Sequence, residues 1–297
     1  SAINGYLTVL NYEKSLLASN KNYDSVSRFL EETELKYDLG SATITDLKNS
    51  ETAHAIAETN LFSAKQNYEL SLKTFKSIVG KEAINLEDFI EYNNNLTFKE
   101  VMTKVLQNNF NILIAENSIE IKKIELQKEK ASNKTSMDLT ASSEYSDSGR
   151  LDDGSENTNT SIGLTITIPI FQQNTDKSNI RKINSQILQA EMEYEDLKND
   201  LEIEVSNYFK DYIVSVSNLQ TSKLKIEYAK TLLDSTAEEY ALGTKSITDL
   251  INSETQLLDA NVEYFNSNRD YLLNYFNLMA LDGSLIELFK EYLPQLN

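Results

Sequence analysis

Apolar positions along this chain follow two periods. Ile180, Ile183, Ile187, Ala190, Tyr194, Leu197 and Leu201 step by three and four residues without a break. Such stepping is one face of an α-helix. The pattern continues from about Asp176 to Leu242, some 67 residues, or about 100 Å at 1.5 Å per residue. A second period lies upstream. Met137, Leu139, Ala141, Ser143 and Tyr145 alternate with Asp138, Thr140, Ser142 and Glu144. Ile162, Leu164, Ile166, Ile168 and Ile170 alternate with Ser161, Gly163, Thr165, Thr167 and Pro169. A period of two predicts strands with one apolar face. Each run is about ten residues, the length of a tilted membrane strand. The polar segment SDSGRLDDGSENTNT between them reads as a long exposed loop. Residues 81–96 read as irregular. Thr97 and Glu100 then form a capping-box pair opening a helix to about Lys130, through Val101, Val105, Leu106, Ile112, Ile114, Ile119 and Ile124.

The chain also repeats itself. YDLGSATITDLKNSET at 37–52 returns as YALGTKSITDLINSET at 240–255, with eleven of sixteen positions identical at an offset of 203. Gly40 and Gly243 follow helical patterns and suit a left-handed helix end. Thr43 to Asp46 and Ser246 to Asp249 fit the box that caps the next helix. Each copy therefore predicts a tight turn between antiparallel helices. After the first turn, Leu47, His54, Leu61, Tyr68 and Phe75 recur at seven-residue steps beside Ser50, Ala57, Ala64, Ser71 and Ile78. The second copy carries Leu250, Leu257, Tyr264, Tyr271 and Leu278 beside Ser253, Ala260, Ser267, Asn274 and Leu281. Large residues alternating with small ones make a coiled-coil seam with close helix approach. Before the turns, Leu16, Tyr23, Leu30 and Tyr37 match Leu219, Ile226, Leu233 and Tyr240. The opening segment SAINGYLTVLNYEKSLLAS reads as mid-helix. The offset puts a counterpart of Met137 at 137 − 203 = −66, so a signal peptide and a first strand pair are expected ahead of residue 1, and apolar seams are expected to lie exposed on the helices that remain.

Composition narrows the chemistry. Only 8 Gly and 2 Pro occur in 297 residues, which favours long uninterrupted helices. No stretch approaches the roughly 18 apolar residues of a spanning helix, so any membrane passage is by strands. The formal charge is 28 − 46 = −18, unsuited to a nucleic-acid partner. It suits a solvated acidic surface, or a lumen that disfavours anions. There is no Cys and one His, which excludes a disulfide framework, a thiol nucleophile and a Cys/His metal site. His54 stands in the seam where the other copy has Leu257, a packing position. No catalytic residues, metal site or cofactor are assigned.

The paired Y-x-L-G…I-T-D-L turns, the Gly163…Pro169-Ile170-Phe171 strand end and the helix–strand–loop–strand–helix order together resemble the TolC-like outer-membrane efflux family. The resemblance covers essentially the whole chain. It implies a mainly α fold with a β-strand pair: long antiparallel coiled-coil helices in an α-helical barrel, plus transmembrane β-barrel strands, in a homotrimer with four strands per protomer. It also implies a passive, gated exit duct for efflux or type I secretion, not an enzyme. Its place would be the outer membrane and periplasm of a Gram-negative-type cell, among outer-membrane lipid, with a periplasmic adaptor and an inner-membrane pump as partners. Carried over residue by residue, Asp249 falls on the periplasmic gate's aspartate ring, while the second ring position is Asn252. The gate links are Tyr240, Lys245, Thr45 and Asp46, and the turn glycines are Gly40 and Gly243. Lys245 offers a point charge rather than a bidentate fork, and Asn133-Lys-Thr135 replaces the family's usual Leu-Pro ahead of the first strand. The implied organisation is a first tunnel hairpin at 1–80, an equatorial insertion and helix at 81–135, the strand pair with an extracellular loop at 136–171, a second tunnel hairpin at 172–283 and an equatorial segment at 284–297. A periplasmic coiled-coil structural or adaptor protein is the alternative. It accounts for the helices but leaves the strand alternation without a purpose.

Overall fold

The computed structural model describes residues 2–84, 86–87, 96–132, 134–147, 156–170 and 174–285. Among the described residues, six helices and two strands follow in order: α1 (Ala2–Asp38), α2 (Ile44–Val79), α3 (Phe98–Asn108), α4 (Phe110–Ser132), β1 (Ser136–Asp147), β2 (Glu156–Thr167), α5 (Thr175–Ala241) and α6 (Ile247–Leu281). The chain divides into two compact units, Ser1–Val105 with Ile203–Asn297, and Leu106–Glu202.

The first unit is two antiparallel helical hairpins. On α5, Val205, Tyr212, Ser215, Leu219, Ser222, Ala229 and Thr236 are buried. Tyr208, Ile226, Leu233 and Tyr240 are half-buried between them. The steps are three and four throughout, a narrow coiled-coil seam rather than a broad core face. On α2 the expected seam is likewise the covered side: Ser50, Ala57, Ser71 and Phe75 are buried and Leu47, His54, Leu61, Ala64 and Tyr68 half-buried. Only Ile78, at 45% exposure, lies open. Small residues bring the helices close enough for Ser50 Oγ to donate to Thr33 Oγ1 at 3.1 Å. The His54 ring lies 5.2 Å from that of Tyr23, within the packing.

The hairpins are joined through α1 and α6. Their contact is unusually polar: Asn11 is 1% exposed and its Nδ2 donates to Asn266 Oδ1 at 2.9 Å. At the end away from the turns the core is aromatic. Tyr212, Tyr271, Tyr275, Phe276, Leu272 and Leu278 cluster with Leu7, Val101 and Val105, and the Tyr212 ring is 5.9 Å from that of Tyr271. Burial pushes the Tyr212 hydroxyl up to about 12.

In the second unit, α4 and the first part of α5 run antiparallel. Asn179 Nδ2 donates to Glu129 Oε1 at 2.8 Å, and Tyr194 donates to Glu116 Oε1 at 3.2 Å. The single helix read from Thr97 to Lys130 is in fact two, divided at Asn109. Asn109 Oδ1 accepts from the Asn111 amide at 2.9 Å and its carbonyl accepts from Leu113. The side chain thus acts as an N-cap in mid-pattern.

β1 and β2 pair antiparallel, with Met137 opposite Ile166, Leu139 opposite Leu164 and Ala141 opposite Ile162. The apolar positions of both strands therefore share one face. On the other face Ser142 and Ser161 hydroxyls meet at 2.8 Å. The ladder runs beyond the expected ends on the loop side, to Asp147 and Glu156. Ser, Thr, Asn and Glu residues read as loop are paired there, because the two-residue alternation of facing continues in polar form. At its other end β2 stops at Thr167, two residues before Pro169, which has no N–H to donate. The loop tip 148–155, Phe171, Asn133 and the segment after residue 285 lie outside the described residues.

Candidate functional site: the paired helical turns

The two turns are built by the same bonds. Gly40 has φ 73° and Gly243 φ 77°, a region in which a Cβ would strain the backbone. Gly40 N–H donates to the Tyr37 carbonyl at 2.9 Å and Ser41 N–H to that of Lys36 at 2.8 Å. Two hundred and three residues on, Gly243 donates to Tyr240 at 2.9 Å and Thr244 to Glu239 at 2.9 Å. Both boxes are complete. Asp46 Oδ2 accepts from Thr43 N at 3.0 Å while Thr43 Oγ1 accepts from Asp46 N at 3.1 Å. Asp249 and Ser246 repeat this at 3.0 and 3.1 Å. The backbone and side-chain bonds from Ser246, with a smaller contribution from the Lys245 charge, hold the Asp249 carboxyl below the usual carboxylate range. Asp249 is exposed, so the turn presents a fixed negative charge to water.

Above the shared turn geometry, the copies meet. Ile247, Leu250 and Ile251 pack against Phe29, Ala53, Leu233 and Tyr240. Asn49 Nδ2 donates to Thr248 Oγ1 at 3.2 Å. Tyr240 reaches from α5 to the last turns of α1. Its hydroxyl donates to Glu32 Oε1 at 3.1 Å and accepts from Lys36 Nζ at 2.8 Å. Lys36 also pairs with Glu32 at 2.8 Å and sits 4.4 Å from the Tyr240 ring centre. The bonds to Glu32 and then Tyr240 raise the Lys36 ammonium, and burial raises the Tyr240 phenol.

Of the residues singled out in the sequence, Tyr240 and Asp46 line one small cavity with Thr33, Lys36, Ser246 and Ile247. The Tyr240 hydroxyl is bonded to Glu32 and Lys36, and the hydrogen bonds of Asp46 run to Thr43. Thr45 and Lys245 are exposed. Glu32 and Lys36 were not singled out. The available signal was that Lys36 breaks the repeat, which has Glu239 in the matching place. Among the described residues no group of three or more His, Cys, Asp or Glu could hold a metal, and no helix is long and apolar enough to cross a membrane.

The family model described as outer membrane efflux protein matches residues 101–284. The chain belongs to that family. Among curated relatives of this outer membrane efflux protein is outer membrane protein TolC of Escherichia coli (strain K12), 23% identical over 298 residues, with 95% of this chain and 60% of TolC covered. The chain thus spans 60% of the length of that relative. Among solved structures, the outer membrane protein VceC from Vibrio cholerae is similar with a TM-score of 0.64 at 16% identity, covering 97% of this chain and 68% of that one. The Campylobacter jejuni CmeC outer membrane channel has a TM-score of 0.64 at 16% identity, covering 98% and 64%. At these identities the structural likeness speaks for the efflux-protein fold.

Proposed function

We propose that this chain forms the larger part of one protomer of an outer-membrane exit duct. Three protomers, each with a second strand pair, close a β-barrel in the outer membrane, and their helices continue it as a hollow tunnel through the periplasm. A periplasmic adaptor and an inner-membrane pump supply substrate and energy, for efflux or for type I secretion. The duct is passive and catalyses no reaction.

The carrying observation is the β1–β2 hairpin. Its apolar residues share one face and are open to solvent, with Leu139 73% and Ile162 77% exposed. In water such a face is a liability. Facing lipid, with small hydroxyl residues toward the lumen, it is what a barrel strand needs. Strands of 12 residues span about 40 Å, or about 30 Å when tilted by about 40°. Membership of the outer membrane efflux protein family supports the same reading.

The turn end is assigned as the periplasmic gate. Asp249 from each protomer rings the entrance, and Tyr240, Lys245, Thr45 and Asp46 hold neighbouring helices together. The test uses the full-length protein in planar lipid bilayers. Expected are discrete conductance steps that rise severalfold in Lys245→Ala and Tyr240→Phe. A protein that remains in the aqueous phase and gives no steps would overturn the duct. Wild-type conductance in both variants would overturn the gate assignment alone.

A further inference from the structure

The repeat sets the same carboxylate in two places. N-S-E-T at 49–52 returns as N-S-E-T at 252–255, so Glu51 and Glu254 hold one register position. Glu51 is partly open to water and pairs with Lys48. Glu254 is 9% exposed, in a stretch of α6 where Leu250, Ile251 and Leu258 are also buried. α1 lies against it, and the Ser25 hydroxyl bonds its carboxyl.

A buried carboxylate needs a paired cation or a full set of donors. Here neither is complete. Arg28, one turn along α1, directs its guanidinium to the Asp24 carbonyl and the Ser25 hydroxyl, each at 3.3 Å, and acts on Glu254 through its charge. Farther along α1, Glu32 and Lys36 are bonded to each other and to Tyr240. To the adjoining cluster of Ile247, Leu250 and Ile251, α2 brings Ala53, and α5 brings Leu233 and Tyr240. The His54 ring of α2 is packed on Tyr23. Loss of water around Glu254 therefore outweighs the pull of Ser25 and Arg28, and its carboxyl is raised above its ordinary value.

We infer that Glu254 is a proton-operated wedge in the α1–α6 joint. Protonated, it lets α6 close on α1 with Tyr240 seated on Glu32 and Lys36. Ionised, it favours parting of the two helices and opening of the turn end. The sign follows from solvation, because an ionised carboxylate regains its water only when the helices separate. The closed joint thus binds the proton more tightly than the open one. Acid holds it shut, and a rise of pH through the raised value releases it. Asp249, held below the usual carboxylate range, titrates in stronger acid and outside this window. The wedge rests on the gate assignment above and adds to it what sets the gate.

The test uses the full-length protein in planar lipid bilayers, with conductance read from about pH 4 to pH 8. The parent should rise severalfold, with a midpoint above the ordinary carboxylate range. Glu254→Gln should stay at the acid level throughout. Arg28→Gln, which removes the charge that favours ionisation, should move the midpoint to higher pH. His54→Leu should leave the midpoint in place. A parent without the rise, a rise that persists in Glu254→Gln, or a midpoint that moves with His54→Leu and not with Arg28→Gln would overturn the wedge and leave the duct standing. A protein that gives no conductance steps at any pH would overturn both.

Discussion

α2 and α6 begin from the same capping box and run in the same register, yet they live in different surroundings. On α2 the buried residues are Ser50, Ala57, Ser71 and Phe75. On α6 they include Ile247, Leu250, Ile251, Leu258, Tyr271, Leu272, Tyr275, Phe276 and Leu278. α6 lies between α5 and α1 and is covered on more than one side. The outer face of α2 keeps Ile56, Phe62 and Leu70 between 55% and 64% exposed. Local sequence sets where a helix starts and which side carries the seam. The number of neighbours sets how much of the rest is covered. An apolar outer face on one copy, matched by a covered face on the other, marks where the single chain is incomplete as a packing unit.

The comparison can be broken most directly at Ile247 and Ile44. Ile247→Ala should cost about 2–5 kcal/mol, the range for a buried aliphatic truncation. Ile44→Ala should cost less than about 0.5 kcal/mol while the chain is monomeric. Urea unfolding of the two variants measures both, and equal losses would mean that the copies are not differently covered. The caps supply the opposite control. Thr43→Ala and Ser246→Ala should each cost about 1 kcal/mol, because each hydroxyl accepts the same amide bond. Hydrogen exchange in the first turns of α2 and α6 should accelerate alike. A large difference between the two would show that the tertiary setting reaches even the cap.

The smallest effect separates Glu254 from its counterpart Glu51. Glu51 is partly open and pairs with Lys48 at 2.6 Å. Glu254 is buried, and burial pushes its carboxyl up against the opposing pull of Ser25 and Arg28 on α1. A folded-state value above the ordinary one means the native state binds the proton more tightly. Stability is then lost as pH rises through the ordinary carboxylate range toward the raised value, and levels off above it. Glu254→Gln should therefore gain stability at neutral pH relative to acid. Melts of the variant and the parent at about pH 4 and pH 7 would show the gain shrinking in acid, and a pH-independent difference would remove burial as the cause.

Much of this fold is legible in the residues. The 203-residue offset, the two glycines and the two boxes give the hairpins, and the alternation from Met137 and from Ile162 gives strands whose apolar faces coincide in the register. What was missed has physical causes, some local and one not. Asn109 divides a continuous apolar pattern because its side chain caps a new helix, which periodicity does not see. The strands run into polar residues because backbone pairing continues wherever two strands stay in register. At the turns, Tyr240 was recognisable as a linking residue, but its partners Glu32 and Lys36 were not. They belong to the other hairpin, more than two hundred positions away in the chain.

The sequence by itself determined much of what neighbours a few residues apart set: the helix ends at the two repeated turns, seam register, strand faces and the exposed charge of Asp249. Those follow from backbone conformation and from hydrogen bonds within one turn. Only the tertiary structure decided which copy is covered, that a part-buried asparagine pair joins α1 to α6, and that the Tyr240 hydroxyl is shared between Glu32 and Lys36. Those depend on which surfaces of near-identical helices come together, and two copies with the same local code differ there only through what packs against them.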